Sequence, residues 1–253
     1  MTKIIMHGCN GKMGKVICDL VKNDASAEIA AGIDIMPCNA PFPTYTNIND
    51  CDTAADVLID FSTAKAVPAV IEYAVAKKLP VVICTTGLSD ETLKMMDDAS
   101  KVIPVFKSAN MSVGINLIAS LLKKYSQVLY ENGFDIEIVE RHHNQKIDAP
   151  SGTALMLADA VNEGVEDELE YVYDRSQVRE KRTHKQLGLS AVRGGTIVGD
   201  HEVIFAGKDE VIEFTHSAYS KEVFAVGAVK AAKFIAGKPA GKYDMQNVME
   251  EIQ

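Results

Sequence analysis

A dense group of titratable side chains lies between residues 140 and 154, where the sequence reads Glu-Arg-His-His-Asn-Gln-Lys-Ile-Asp-Ala-Pro-Ser-Gly-Thr-Ala. Adjacent imidazoles and an ammonium are suited to proton transfer, because a histidine gains and loses its proton near neutral pH. The Ser-Gly-Thr turn leads into a helical pattern at 154–163, with Ser151 or Thr153 as the candidate N-cap. A helix N-terminus binds carboxylates and phosphates. The segment therefore indicates proton transfer to a bound anion.

The elements around this segment predict how its side chains are presented. Apolar residues at 134, 136 and 138 alternate with polar ones, which is typical of a half-buried strand. If the alternation continues, His142 shares the face of Ile138 and His143 lies on the opposite face. Lys146 follows four residues after His142, so the strand end and the loop can converge on one pocket.

A second candidate site opens the chain. The strand predicted at Lys3–His7 is followed by a turn with glycines at positions 8, 11 and 14, and then by the apolar stripe of a helix. Strand, glycine turn and helix are the context of a dinucleotide-binding fingerprint, although the spacing differs from the commonest form. The next strand, 28–33, ends at Asp34, where such folds bind the adenosine ribose. A carboxylate there favours NADH over NADPH, whereas Lys12 in the turn would attract a 2′-phosphate.

The rest of the first half repeats strand and helix. Strands are predicted at 55–61, 80–84 and 102–106, and helices at 62–78, 89–100 and 112–130, with a proline-rich loop at 39–49. This alternation predicts an α/β fold with a Rossmann-like, doubly wound parallel sheet. Ligands of such sheets bind beyond the carboxyl ends of the strands.

The second half has a different pattern, with short alternating runs at 134–140, 170–173, 187–192, 202–205 and 211–216. It predicts a second α+β domain with a mixed or antiparallel sheet open on one face, in which the last two runs form a hairpin. A final helix is predicted at 223–235. The expected domains are residues 1–110 with 220–253, which bind the dinucleotide, and 111–219, which bind substrate and mediate oligomerisation.

Three features of the second half are not interpreted as parts of the catalytic site. The charged segment 174–185 is predicted to be a solvated loop. The glycines of the segment 193–201 suit a bend or bulge, so this segment is interpreted as sheet architecture or subunit contact. His201 and His216 are interpreted as satisfied structural histidines.

Composition narrows the classes of function. A net charge of −9 and a pI of about 5.2 argue against nonspecific nucleic-acid binding, which needs a basic face. The opening residues form a short strand instead of a signal peptide, and no apolar run has membrane-spanning length, so a cytoplasmic protein is expected. The five cysteines are irregularly spaced without a C-x-x-C pair, which favours reduced thiols over a disulfide framework or a metal site.

The segment from Glu140 to Ala154 resembles the signature of the 4-hydroxy-tetrahydrodipicolinate reductase (dihydrodipicolinate reductase) family, and the resemblance extends over essentially the whole chain. It implies NADPH- or NADH-dependent reduction of a small ring dicarboxylate, with loss of water, in lysine and diaminopimelate biosynthesis, by a homotetramer. His142 matches the general acid and Lys146 the second proton donor. His143, Gly152 and Thr153 match substrate-binding residues.

The resemblance also implies a set of cofactor-binding residues, and it assigns no metal. The basic residue that usually follows the acidic one in this family is Ile35 here, which leaves the choice between NADPH and NADH open. The implied cofactor-binding residues are Gly8, Cys9, Asn10, Gly11, Lys12, Met13, Asp34, Thr85, Thr86, Gly87, Ser108, Ala109, Asn110 and Met111.

Two other functions are compatible with parts of the sequence. One is another reductase of the aspartate-derived pathways; a semialdehyde dehydrogenase would need a nucleophilic cysteine in the second domain, and no cysteine follows Cys84. The other is a non-catalytic NAD(P) sensor, in which His142 and Lys146 would be incidental.

Overall fold

The computed structural model describes residues 1–252. The chain divides into two compact units. The first comprises Met1–Ser112 together with the segment from Glu222 onward, and the second comprises Val113–Lys221.

The first unit is built on a seven-stranded sheet in which all the described pairings are parallel. The chain moves outward in one direction from the first strand and then returns to build the other half, which confirms the doubly wound fold. The strands are β1 (Thr2–His7), β2 (Ala27–Ile33), β3 (Thr44–Tyr45), β4 (Val57–Asp60), β5 (Val81–Ile83), β6 (Pro104–Phe106) and β12 (Gly241–Tyr243), in the spatial order β12-β6-β5-β4-β1-β2-β3.

Helices cover this sheet because its central strands are apolar on both faces, as buried parallel strands are. One core cluster joins strand residues such as Ile5, Leu58 and Val81 to Val70 and Met96 on the helices. The helices are α1 (Lys12–Lys22), α2 (Val67–Lys77), α3 (Asp90–Ala99), α6 (Glu222–Ile235) and α7 (Met245–Ile252).

Two local predictions for the first unit were wrong, and two elements were missed. The helix expected from Ser62 begins at Val67, because the preceding residues form a turn in which the Ala66 N–H donates to the Thr63 carbonyl. The 39–49 loop contains β3, which is only two residues long. The final strand and helix, β12 and α7, were not predicted, since a three-residue strand carries too little periodicity to be recognised.

The second unit has a five-stranded mixed sheet in the order β11-β10-β7-β9-β8, which confirms the predicted α+β organisation. The central strand pairs antiparallel with one neighbour and parallel with the other, and the last two strands form the expected hairpin. The elements are α4 (Val113–Glu131), β7 (Asp135–His142), α5 (Gly152–Glu163), β8 (Glu170–Tyr173), β9 (Gln186–Arg193), β10 (Gly199–Ala206) and β11 (Val211–Ala218).

One face of this sheet is covered by α4 and α5. Alternate residues of β7 and β10, including Ile138 and Val203, pack with Leu122 and Leu157 of the two helices in a single core. The exposed apolar residues of the sheet include Val192, Val211 and Ile212.

The charged segment 174–185 is a largely exposed loop, as predicted, but two of its arginines are half-buried and bind to β7. Arg175 donates to Glu137 of β7 at 2.9 Å, and Arg182 is paired with Asp135 of the same strand. The polar residues of β7 are therefore partners for the two arginines.

Among the helices within residues 1–252, none has the length and apolarity that crossing a membrane requires.

Candidate active site

His142, the histidine predicted to transfer a proton, is the last residue of β7. Burial alternates along this strand through Ile136, Ile138 and Glu140 to His142, so the histidine continues the core face as the sequence predicted. The His142 Nδ1 lies 2.6 Å from Glu140 Oε2. Because an ionised carboxylate only accepts hydrogen bonds, Nδ1 carries a hydrogen and donates it. The other ring nitrogen, Nε2, is thereby left as the atom that can gain or lose a proton.

Glu140 is almost completely buried, at 1% exposure, and its two oxygens hold four donors. Besides His142, these are the two terminal nitrogens of Arg193, each at 2.7 Å, and the Ser151 N–H at 3.0 Å. Burial acts to raise the pKa of Glu140, but the hydrogen bonds from Arg193, His142 and Ser151 outweigh it and leave the pKa lowered. The carboxylate is thus ionised at neutral pH, and it orients the imidazole.

Arg193 was not predicted as a site residue, and its segment was interpreted as sheet architecture or subunit contact. The structure places it at the end of β9, directly beside His142 of β7 in the parallel register. The following turn packs on the histidine loop, since the Gly194 N–H donates to the His142 carbonyl at 2.9 Å. The missing signal was the pairing of two strands about fifty residues apart, which local periodicity does not contain.

His201 was expected to be a satisfied structural histidine, and the structure corrects this in part. Its Nε2 lies 3.0 Å from Ser151 Oγ, but its buried Nδ1 has no hydrogen-bond partner within the described residues. Its ring packs edge to face against His142, with centroids 5.1 Å apart. Burial, and secondly the neighbouring His142, lower the pKa of His201 to about 4, so this ring is neutral at neutral pH.

Lys146 lies in the loop that follows β7. Its ammonium is 2.8 Å from Asp148 Oδ1, and this contact is the main reason that the pKa of Asp148 is lowered. The turn is closed by the Lys146 N–H, which donates to the carbonyl of His143 at 3.2 Å. His143 itself is half-buried. Glu140 and Asp148 therefore each hold a basic residue in place.

The N-terminus of α5 lies beside the same carboxylate. Ser151 is the N-cap, with its Oγ accepting from the Ala154 N–H at 3.1 Å, so the choice between Ser151 and Thr153 falls on Ser151. The helix begins at Gly152, which is exposed, and a Cβ built there would meet nothing within 4 Å. Thr153 is half-buried in the first turn. These residues leave space at the helix N-terminus for an anion to approach the backbone.

In the first unit, the glycine turn has the geometry that a dinucleotide-binding loop requires. Gly8 adopts φ +83°, and a Cβ there would lie 2.5 Å from the Phe61 carbonyl oxygen. A Cβ on Gly14 would lie 2.1 Å from the Gly8 carbonyl oxygen, so this glycine permits the close packing of α1 on the turn. Gly11 is the N-cap and has no side-chain cap, and the N-terminal N–H groups of α1 have no carbonyl partner within the helix.

Asp34 follows β2 and is tied to that turn. Its Oδ2 accepts from the Asn10 N–H at 3.0 Å, and its Oδ1 accepts from the Met36 N–H at 3.1 Å. Lys12 is exposed at the start of α1, and Ile35 is 86% exposed. Cys9 is buried, with its Sγ 3.6 Å from that of Cys38, and Met13 is half-buried.

The remaining predicted cofactor residues follow β5 and β6. Thr85 is buried, whereas Thr86 and Gly87 are exposed. After β6, Ser108 is half-buried and Ala109 is exposed, but Asn110 and Met111 are buried. A Cβ at Gly227 of α6 would collide with the Met111 carbonyl, so Met111 is in close packing with that helix.

All five cysteines have free thiols. Within residues 1–252, no three or more histidine, cysteine, aspartate or glutamate side chains are grouped so that they could hold a metal ion.

A doubly wound sheet with an uncapped glycine turn, joined in one chain to a mixed-sheet unit with a carboxylate-oriented histidine, defines a two-domain dinucleotide-dependent oxidoreductase. Comparison with known families narrows this class. The family model for "Dihydrodipicolinate reductase, N-terminus" matches residues 2–111, and that for "Dihydrodipicolinate reductase, C-terminus" matches residues 114–249. The chain belongs to the dihydrodipicolinate reductase family, as its resemblance indicated.

Relatives of known name agree with this assignment. The chain is 53% identical over 251 residues to the 4-hydroxy-tetrahydrodipicolinate reductase of Caldanaerobacter subterraneus subsp. tengcongensis, with 99% of both chains covered. It is 52% identical to that of Clostridium tetani, covering 97% of this chain and 96% of the relative. The solved dipicolinate-bound dihydrodipicolinate reductase of Paenisporosarcina sp. TG-14 has a TM-score of 0.78 and 22% identity, with 98% of this chain and 99% of that chain covered, which shows a shared fold.

Proposed function

We propose that this protein reduces 4-hydroxy-tetrahydrodipicolinate to tetrahydrodipicolinate, with loss of water, in lysine and diaminopimelate biosynthesis. The observation that carries the proposal is the group formed by Glu140, His142 and Arg193 at the N-terminus of α5. This group combines an oriented proton donor with a binding site for a carboxylate. The relatives named for this reaction cover nearly the whole chain at about half identity.

His142 is proposed as the general acid, acting through Nε2, because Glu140 occupies Nδ1. Reduction of a conjugated imine leaves an electron-rich carbon that needs a proton, and departure of a hydroxyl is eased by one. Lys146 is proposed as the second proton donor, and its positive charge also makes it an electrostatic anchor for the dianionic substrate.

The substrate is a small ring dicarboxylate. We assign one carboxylate to the backbone N–H of Gly152 and the hydroxyl of Thr153, at a helix N-terminus that the exposed glycine leaves accessible. His143 is proposed to contact the substrate from the same loop. The relative from Paenisporosarcina was solved with dipicolinate, a ligand of this chemical class.

The first unit is proposed to bind the cofactor, and the second to bind the substrate. NADH or NADPH supplies the hydride when bound. The first turn of α1 offers N–H groups to the pyrophosphate, and Asp34 accepts from the adenosine ribose. The loops 85–87 and 108–111 complete the proposed site, and the last two residues of the second loop, Asn110 and Met111, are buried.

We further propose a cytoplasmic homotetramer. The apolar residues Val192, Val211 and Ile212 on the sheet of the second unit support association through that sheet. Light scattering after size-exclusion chromatography tests the stoichiometry, and a monomer at micromolar concentration would refute it. Cell fractionation with a cytoplasmic marker tests the location.

The activity is tested by following oxidation of NADH and NADPH with substrate freshly made from pyruvate and aspartate semialdehyde. We expect rapid oxidation by the wild type and a fall of at least about a hundredfold in His142→Ala and Lys146→Ala, the scale of a lost proton donor. Lys185→Ala is the matched control, because Lys185 forms only an exposed ion pair with Asp167.

Cofactor binding in each variant separates the alternatives. Variants that still bind NADH but do not turn over confirm the proposed roles. If the wild type binds the dinucleotide but never oxidises it with this substrate, the non-catalytic sensor becomes the better assignment. Oxidation with a different aspartate-derived substrate would favour another reductase of that chemistry.

A further inference from the structure

The first unit contains a buried carboxylate that the proposed reaction does not use. Asp60 ends β4 and has no exposed surface. It accepts from His7 Nδ1 at 2.6 Å, from Ser62 Oγ at 2.5 Å and from Thr85 Oγ1 at 2.6 Å. Burying a carboxylate is unfavourable unless such donors compensate for the lost water. This cluster, His7–Asp60–Ser62–Thr85, links the carboxyl ends of three adjacent strands.

The cluster fixes the conformation of Thr85. Its hydroxyl donates to Asp60, and the hydroxyl oxygen also accepts from the Ser62 N–H at 3.1 Å. Its carbonyl accepts from the ammonium of Lys107, at the end of β6, at 3.3 Å. Both the side chain and the backbone of this residue are therefore held by neighbouring strands.

The held carbonyl determines which groups face outward. In a trans peptide the carbonyl and the following N–H point in opposite directions, so the Thr86 N–H points away from Lys107. Thr86 and Gly87 are exposed, and a Cβ on Gly87 would meet nothing within 4 Å. The cluster thus presents open backbone at the carboxyl edge of the sheet.

The position in the sheet indicates what this backbone binds. The strand order reverses between β1 and β4, and the dinucleotide of such folds spans that reversal. Asp34 lies on the β2 side, where the adenosine half binds, so Thr85 lies on the side of the nicotinamide half. We propose that Asp60 is a positioning residue for the nicotinamide half of the cofactor, acting through Thr85.

This inference rests on the proposed function for the presence of a cofactor, but its test measures binding and not turnover. Kd values for NADH and for ADP, which lacks the nicotinamide half, are measured by fluorescence and calorimetry on the full-length protein. We expect Asp60→Asn to weaken NADH binding by at least about tenfold, the scale of ordering one released residue's backbone on binding, with ADP binding changed by less than about twofold. Tight NADH binding without turnover in the wild type would count against the proposed reaction alone.

The matched control is Asp56→Asn. Asp56 also receives a hydrogen bond from β1, through the Lys3 N–H at 2.7 Å, but it is exposed and precedes β4 instead of ending it. Its Kd for NADH should equal that of the wild type. Thr85→Val, which keeps the side-chain shape but removes the hydroxyl, should weaken NADH as Asp60→Asn does, and the double variant should be no weaker than either single one.

Two results would overturn the inference. One is an unchanged Kd for NADH in folded Asp60→Asn, and the other is equal weakening of NADH and ADP, which would mean general damage to the unit. If Asp60→Asn does not fold, Thr85→Val decides by the same ratio of the two Kd values.

Discussion

The lowered pKa of His201 predicts how much the stability of the folded protein changes with pH. Its pKa is lowered from 6.5 to about 4, first by burial and then by the nearby His142. In the unfolded chain it binds a proton below about pH 6.5, whereas in the native protein it stays neutral down to about pH 4. Between these values only the unfolded state gains this proton, so stability falls on acidification by about 1.4 kcal/mol per pH unit. Over the whole window the loss is about 3 kcal/mol.

The variant His201→Gln removes this titration while its amide can still reach Ser151 Oγ. From pH 7.5 to pH 5.0 we expect the stability difference between wild type and variant to shift by about 2 kcal/mol in favour of the variant, because only the part of this range below about pH 6.5 contributes. Urea unfolding at both pH values and one protein concentration measures the difference. The other titrating groups are the same in both proteins, so their contributions cancel in the difference between wild type and variant.

A difference that is constant within about 0.5 kcal/mol would refute the reasoning, since one proton accounts for more than that across this range. It would mean that His201 titrates in the native protein much as it does in the unfolded chain. The conclusion that the His201 ring beside His142 is neutral at neutral pH would then be wrong.

Three further predictions concern activity and cofactor choice. Glu140→Gln should lower kcat by up to about a hundredfold with the KM for NADH unchanged, because His142 loses the ionised acceptor of its Nδ1–H; steady-state kinetics with unchanged kcat would contradict this. Gly199→Ala should also lower kcat, since a Cβ there would lie 3.0 Å from His142 Nε2; Gly194→Ala, where a Cβ meets nothing within 4 Å, should be milder in the same assay. Ile35→Arg should lower the KM for NADPH by about tenfold through one charged phosphate contact while leaving that for NADH in place, and equal changes for both would disprove a 2′-phosphate contact.

Local periodicity was enough to predict several parts of the site. The alternation before residue 140 correctly placed His142 on the core face, because strand geometry fixes the side of every second residue. Strand, glycine turn and helix predicted the first unit in the same way, and the Ser-Gly-Thr turn predicted the start of α5 within two residues.

Contacts between distant segments were not predictable from one sequence. Arg193 reaches Glu140 only because β9 pairs in parallel with β7, and His201 reaches Ser151 only because β10 lies on the other side of β7. Two of the three donors to Asp60, His7 and Thr85, come from the ends of other strands of the first sheet. Neither spacing nor composition specifies which strands become neighbours.

The ion pairs of the charged segment 174–185 were missed for a related reason. Its arginines favour a solvated loop when considered alone, and their partners Glu137 and Asp135 are the polar positions of a strand about forty residues earlier. A strand alternation indicates that such residues face away from the core, but it does not indicate what covers them.

The alternation of β7 also bears on how this protein can change over evolution. Deleting a single residue at the start of β7 would exchange the two faces of the strand, placing His143 at the position that His142 now occupies and turning the core isoleucines outward. Stability and proton delivery would be lost in one genetic event, with no intermediate that retains either. Length variation should therefore accumulate in surface turns such as 207–210, whereas β7 should tolerate substitution but not a change in length.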